Sequence, residues 1–262
     1  METQIQLGMK PQWHPYLFLL FFATLFEYNI HRLLCILSNK KALESDNYQW
    51  VRENLKVFYL LVLLSVVGFI IVLFQAKKEV LLALAPIAMV TAFYSMPFTS
   101  NQNFLFRLRE VPYLKIFLIA LVWASSTIFL PIIQADYPFH NSHVSSMFLE
   151  RFFFIFAITI PFDIRDIEID KRAGLKTIPL LLREDKSLWI AYGCLLIFVF
   201  ISFFHYKQLN KGYILYALSI SAITTFLFLY VKKIRTLKYY HYGILDGTML
   251  LQGLLVLIFY LL

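Results

Sequence analysis

Long apolar runs separated by short charged clusters dominate this chain. They fall at 14–37, 56–76, 79–97, 112–134, 147–163, 187–206, 211–231 and 243–262. None alternates polar and apolar residues with period two, so each predicts a membrane-length helix and not a barrel strand. Pro86 and Pro97 interrupt the third run. Membrane helices tolerate proline because neighbouring groups satisfy the freed backbone. No Gly/Ser linker, low-complexity tract or short repeat divides the pattern. The expected fold is all-α: a polytopic transmembrane bundle of about eight helices, forming a single domain over residues 1–262.

Composition supports this. The chain is 60% hydrophobic and only 15% charged, with a mean hydropathy of +0.69. A soluble domain of 262 residues has nowhere to hide that much apolar surface. Lipid solvates it, provided the backbone is satisfied internally. Tyr16 to Phe26 resembles a signal-peptide core, but only Lys10 precedes it and no small-x-small cleavage pattern follows. It reads as a retained helix. Cys35 and Cys194 lie inside apolar runs, so no disulfide framework is expected.

The net charge of +8 raises the question of nucleic acid. Its distribution answers otherwise. Basic residues concentrate after the first, third, fifth and seventh runs: Lys40, Lys41, Arg52 and Lys56; Arg107, Arg109 and Lys115; Arg165, Lys171, Arg172, Lys176, Arg183 and Lys186; Lys232, Lys233, Arg235 and Lys238. The other side has Lys10, Lys77, Lys78, Arg151, Lys207 and Lys211. The positive-inside rule then predicts four cytoplasmic loops, both termini outside, and no nucleic-acid partner. The expected location is a bacterial cytoplasmic membrane. Segment 135–146, with His140 and His143, reads as an external loop without the third ligand a metal site needs.

One segment carries candidate chemistry. Asp163, Asp166 and Asp170 stand at i, i+3 and i+7, which places them on one face of a helix. Carboxylates so placed repel unless a cation sits between them. Magnesium takes oxygen ligands, uses one or two carboxylates and completes its shell with water and phosphate. Lys171, Arg172 and Lys176 follow at once and suit phosphate. Gly174 is placed to end the helix. The alternative is a solvated loop of mixed charge.

Asp163 to Leu182, DIRDIEIDKRAGLKTIPLLL, resembles the second aspartate-rich motif, DxxDxxxD, of the UbiA-type intramembrane prenyltransferases. Tyr94-Ser95-Met96-Pro97, then Arg107-Leu108-Arg109, then Pro112 to Pro131, resemble another segment of that family. The resemblance implies transfer of a prenyl group from a prenyl diphosphate to an aromatic or lipid acceptor, with Mg2+ stabilising the departing diphosphate. It implies Asp166 and Asp170 as catalytic metal ligands, supported by Asp163. It also implies Arg172, Lys176, Lys115 and Tyr94 as diphosphate contacts.

The family's first acidic motif, NDxxDxxxD, is not matched. Asn29 aligns with its leading Asn, but Ile30, Leu33 and Leu37 stand at the Asp positions. Asn29 and Arg32 are then candidates for a substituted diphosphate site, with Arg32 supplying fixed positive charge. Glu27, Asn29, His31 and Arg32 equally fit an internally paired polar cluster. Two further readings stay open: a degenerate member that binds polyprenyl lipid or diphosphate without turnover, and a small transporter using the Asp cluster as an ion site.

Overall fold

The computed structural model describes residues 1–38, 53–95, 111–139, 142–172 and 174–262. Every predicted run is a helix: α2 Pro15–Ser38, α3 Leu55–Leu73, α4 Lys78–Ser95, α5 Leu114–Gln134, α6 Ser142–Arg165, α8 Ile178–Gln208, α9 Gly212–Tyr230 and α11 Asp246–Leu261. Short helices α1 (Glu2–Gln6), α7 (Ile167–Arg172) and α10 (Lys232–Arg235) join them, and a π-helical segment, Tyr240–Leu245, leads into α11. No strand occurs among the described residues. Among the described residues, five spans are long and apolar enough to cross a membrane: α3, α5, α8, α9 and Tyr240–Leu261. Leu63, Leu82, Leu196, Phe200 and Leu250 project outward and exposed, as lipid allows and water does not. The chain is an integral membrane protein.

Two boundaries differ from the sequence expectation. The fifth helix begins at Ser142, so His143 is buried in a helix and does not lie on an external loop. The sixth begins at Ile178 and not 187, and is broken at Arg183 (φ 68, ψ 167). That is a region essentially confined to glycine, and it separates a short apolar turn, residues 178–182, from the long span.

Packing divides the chain into two compact units, residues 13–85 and residues 1–12 with 86–262. In the first, α2 and α3 pack against each other. Leu33 meets Phe58 in an apolar cluster with Leu55 and Val62, and Gly68 abuts Phe22. Late residues of α2 thus pair with early ones of α3, so the helices run antiparallel. A Cβ on Gly68 would run into the Phe22 ring. This is the close approach that small residues permit between membrane helices. Gly68→Val is expected to destabilise by about 1–3 kcal/mol in detergent unfolding. Adding Phe22→Ala should recover part of that loss; equal loss in both variants would disprove the contact.

In the larger unit α6 packs between α5 and α8, α9 bridges α8 and α11, and α1 rests on α5 and α11. Its core is aliphatic and aromatic: Ile116, Ala120, Phe154, Ile158, Leu195, Phe198, Tyr206 and Val256. The Phe154 and Phe198 rings meet across α6 and α8, tilted by 53° with centroids 5.3 Å apart. This frame holds the polar groups described next.

Candidate active site

The acidic motif straddles a helix junction. α6 ends at Arg165 and α7 starts at Ile167, while the amides of Asp166 and Asp170 still donate to the carbonyls of Phe162 and Asp166. The helical path therefore nearly continues. At 100° per residue, Asp163 and Asp170 lie about 20° apart and Asp166 about 60° away. The structure follows that arithmetic: two carboxylates converge and the third does not join them. Gly174 (φ 72) ends α7. Its amide donates to the Lys171 carbonyl and the Leu175 amide to the Asp170 carbonyl, the two bonds of a Schellman cap.

Between the two convergent carboxylates stands Lys115. Its Nζ lies 2.9 Å from Asp163 Oδ1 and 3.0 Å from Asp170 Oδ2. The two aspartate side chains are 2% and 6% exposed, the lysine 16%, so water screens these pairs little. Lys115 reaches them because α5 begins beside the end of α7. Tyr113 (φ 64) precedes α5, and its amide donates to the Lys176 carbonyl at 2.9 Å. Ile116, fully buried, anchors the next position.

In the structure an internal lysine stands between the aspartates. One ammonium balances only one of the two carboxylates. Asp163 Oδ2 is buried and makes no hydrogen bond. The pair is thus short of positive charge and has one oxygen to spare. Among the described residues no three His, Cys, Asp or Glu side chains form a ready-made metal cage. An all-oxygen pair with a spare lone-pair site does fit a hard divalent ion that takes its remaining ligands from substrate and water.

Asp166 is engaged elsewhere. The Arg165 guanidinium donates to both its oxygens, Nε at 2.7 Å and Nη2 at 3.1 Å, and lies over the Phe162 and Tyr242 rings. Arg172 and Lys176 are exposed beside the pair in sequence. Tyr94 is half-buried near the end of α4. In the other unit, Asn29 is buried with its amide donating to the Leu25 carbonyl of its own helix, and Arg32 is exposed. Met96, Pro97, Arg107 and Arg109 lie outside the described residues, as does the side chain of His31.

A family model, the UbiA prenyltransferase family, matches residues 53–239. The chain belongs to the UbiA prenyltransferase family. The match contains the acidic motif and Lys115, and it begins after α2, the helix whose first motif lacks its aspartates. This UbiA member also shares its fold with a solved structure described as a UbiA homolog from Archaeoglobus fulgidus bound to Cd2+. The identity is 14% and the TM-score 0.63, covering 99% of this chain and 92% of that one. No curated protein matches the chain.

A second polar cluster, unforeseen from sequence, lies about 20 Å along α6 from Asp163, by helical rise. His143 and His205 bond to each other through Nδ1 and Nε2. His143 Nε2 faces the Gln6 carbonyl at 3.1 Å, His205 Nδ1 faces Glu150 Oε1 at 2.6 Å, and the Tyr206 hydroxyl donates to Glu150 Oε2 at 3.2 Å. A carbonyl only accepts, so His143 Nε2 carries a hydrogen and, in the neutral ring, its Nδ1 accepts from His205 Nε2. One proton then lies between His205 Nδ1 and Glu150. Beside this chain Arg151 pairs with Glu2 at 2.7 Å, and Lys211 donates to the Gln6 carbonyl at 2.8 Å. Both nitrogens of His143 are used, which leaves none for a metal.

Proposed function

We propose that this UbiA member transfers a prenyl group from a prenyl diphosphate to an aromatic or other hydrophobic acceptor within the membrane, with Mg2+ held at Asp163 and Asp170. The observation that carries this reading is the buried charge imbalance: two carboxylates share one ammonium, and Asp163 keeps an unpaired oxygen. The solved homologue with Cd2+ supports a divalent ion on this fold. Bound there, the ion would act as a Lewis acid on the departing diphosphate.

The chain's own residues do the remaining work. Lys115 holds the two carboxylates together and offers a fixed positive charge where diphosphate negative charge grows. Arg172 and Lys176, both exposed, present further cations to phosphate oxygens. Asp166 restrains Arg165 in this reading, and Tyr94 remains a candidate diphosphate contact. Asn29 and Arg32 are not needed for it. The positive-inside rule supports placing the motif on the cytoplasmic side.

One observation favours binding without turnover. Leu33, at an Asp position of the family's first motif, is buried against Phe58 in an apolar cluster. The two readings separate in one experiment with purified protein, magnesium and farnesyl or geranylgeranyl diphosphate. Diphosphate release that stops on adding EDTA is the expected result. Magnesium-dependent binding without release would replace it with the binder, and neither binding nor release would reject both.

A further inference from the structure

On the face of α6 opposite Asp163 lies an open recess of about 100 Å³. Pro161 and Arg165 stand two residues either side of Asp163, about 160° around the helix, so this recess is separate from the Lys115 site. Pro161, Ile164 and Leu188 give it apolar walls, and Arg235, Tyr240 and Glu184 supply polar groups. Two hydrogen-bond donors there are buried and unpartnered: Arg235 Nε and the Tyr240 hydroxyl. Arg235 spends only its Nη1 on Glu184, at 2.6 Å. Arg165 adds positive charge at the rim, offset by Asp166. Lys232 and Lys233, on α10 with Arg235, are exposed.

Buried donors without acceptors destabilise a fold, and a charged donor costs more than a neutral one. A single water needs only about 10–15 Å³ of such space, a small part of this recess. Glu184 balances the Arg235 charge, so what the two donors lack is acceptors, and a group with several acceptor oxygens supplies them. Basic pockets between membrane helices take such groups from lipid. We propose that Arg235 and Tyr240 form a binding site for a phosphate group, presented by an anionic lipid headgroup or by soluble phosphate. The Arg235 Nε and the Tyr240 hydroxyl donate to phosphate oxygens, the apolar walls face the glycerol and upper acyl carbons, and Lys232 and Lys233 attract the anion.

The test uses the full chain in detergent, with native mass spectrometry and thermal unfolding, against phosphatidylglycerol, phosphatidylcholine and inorganic phosphate. Phosphatidylglycerol is expected to be retained over phosphatidylcholine and to raise the midpoint of unfolding. Tyr240→Phe, which removes only a hydroxyl, should weaken retention about tenfold, and Arg235→Gln should weaken it further. Lys232→Gln should change it about threefold or less, as a screened surface charge does. Competition by millimolar phosphate supports a site that takes the free ion as well; no competition, with loss in Tyr240→Phe, assigns it to lipid. Equal retention of the two lipids together with no phosphate binding, or retention unchanged in both variants, would overturn the proposal.

Discussion

Lys115→Met is expected to cost about 3–5 kcal/mol of stability, the penalty of leaving buried charge uncompensated. It should also abolish diphosphate release. The lysine stands within 3.0 Å of two carboxylates that are almost wholly buried. Methionine fills the same space without the charge. Asp163 and Asp170 would then repel one another in a medium of low dielectric, and one of them would have to take up a proton. Removing the buried charge altogether should restore the fold: Lys115→Met with Asp163→Asn and Asp170→Asn is expected to recover at least half of the lost stability while release stays absent. Denaturant midpoints for the two variants, with a release assay on each, check this. If Lys115→Met alone unfolds within 1 kcal/mol of the parent, a size expected only of exposed pairs, the lysine does not hold the pair together.

Glu150→Leu should be comparably damaging, by about 3 kcal/mol, at a place remote from chemistry. It strands two buried groups, the Nδ1 of His205 and the hydroxyl of Tyr206, each costing about 1–3 kcal/mol. Glu150→Gln should behave very differently. Its amide N–H can donate to His205 Nδ1 while its oxygen accepts from Tyr206, so every bond survives and the loss should stay within about 1 kcal/mol. Unfolding midpoints of the two variants at the same pH decide the matter. If glutamine costs as much as leucine, the carboxylate charge is required and His205 carries the shared proton as an imidazolium. Because the chain ends on the Gln6 carbonyl, the loss should also appear as freer amide exchange in α1.

The helices were legible because lipid demands long unbroken apolar runs, and such runs survive in sequence whatever packs beside them. Gly174 was legible for a related reason: a left-handed cap needs a residue without a Cβ. Asp163 and Asp170 were visible as a motif, but their partner was not. Lys115 is far away in the chain, and the packing of α5 on α6 together with the Tyr113–Lys176 backbone bond brings the start of α5 to the end of α7. The shared face read from the spacing brings Asp163 and Asp170 together, while Asp166, about 60° around the helix from Asp163, is engaged by Arg165. The Glu150 cluster was hidden differently. His143, Glu150, His205 and Tyr206 are isolated polar residues in apolar surroundings, and His143 sits in a polar stretch that reads as loop. Nothing local pairs them, since their partners lie 55 to 137 residues away. The Arg183 break left no mark at all, because an arginine is not a residue whose presence announces that backbone geometry.

The same Tyr113–Lys176 bond offers a reporter. The Tyr113 amide is a single N–H bonded across to the loop after Gly174, so it is released when the α5 start separates from that loop. Its exchange with deuterium therefore times that separation. An amide that exchanges at the rate of a frayed end would mean Lys115 meets the aspartates only part of the time. One slowed by added prenyl diphosphate would register occupancy of the site without any turnover, from a position that touches no reacting atom.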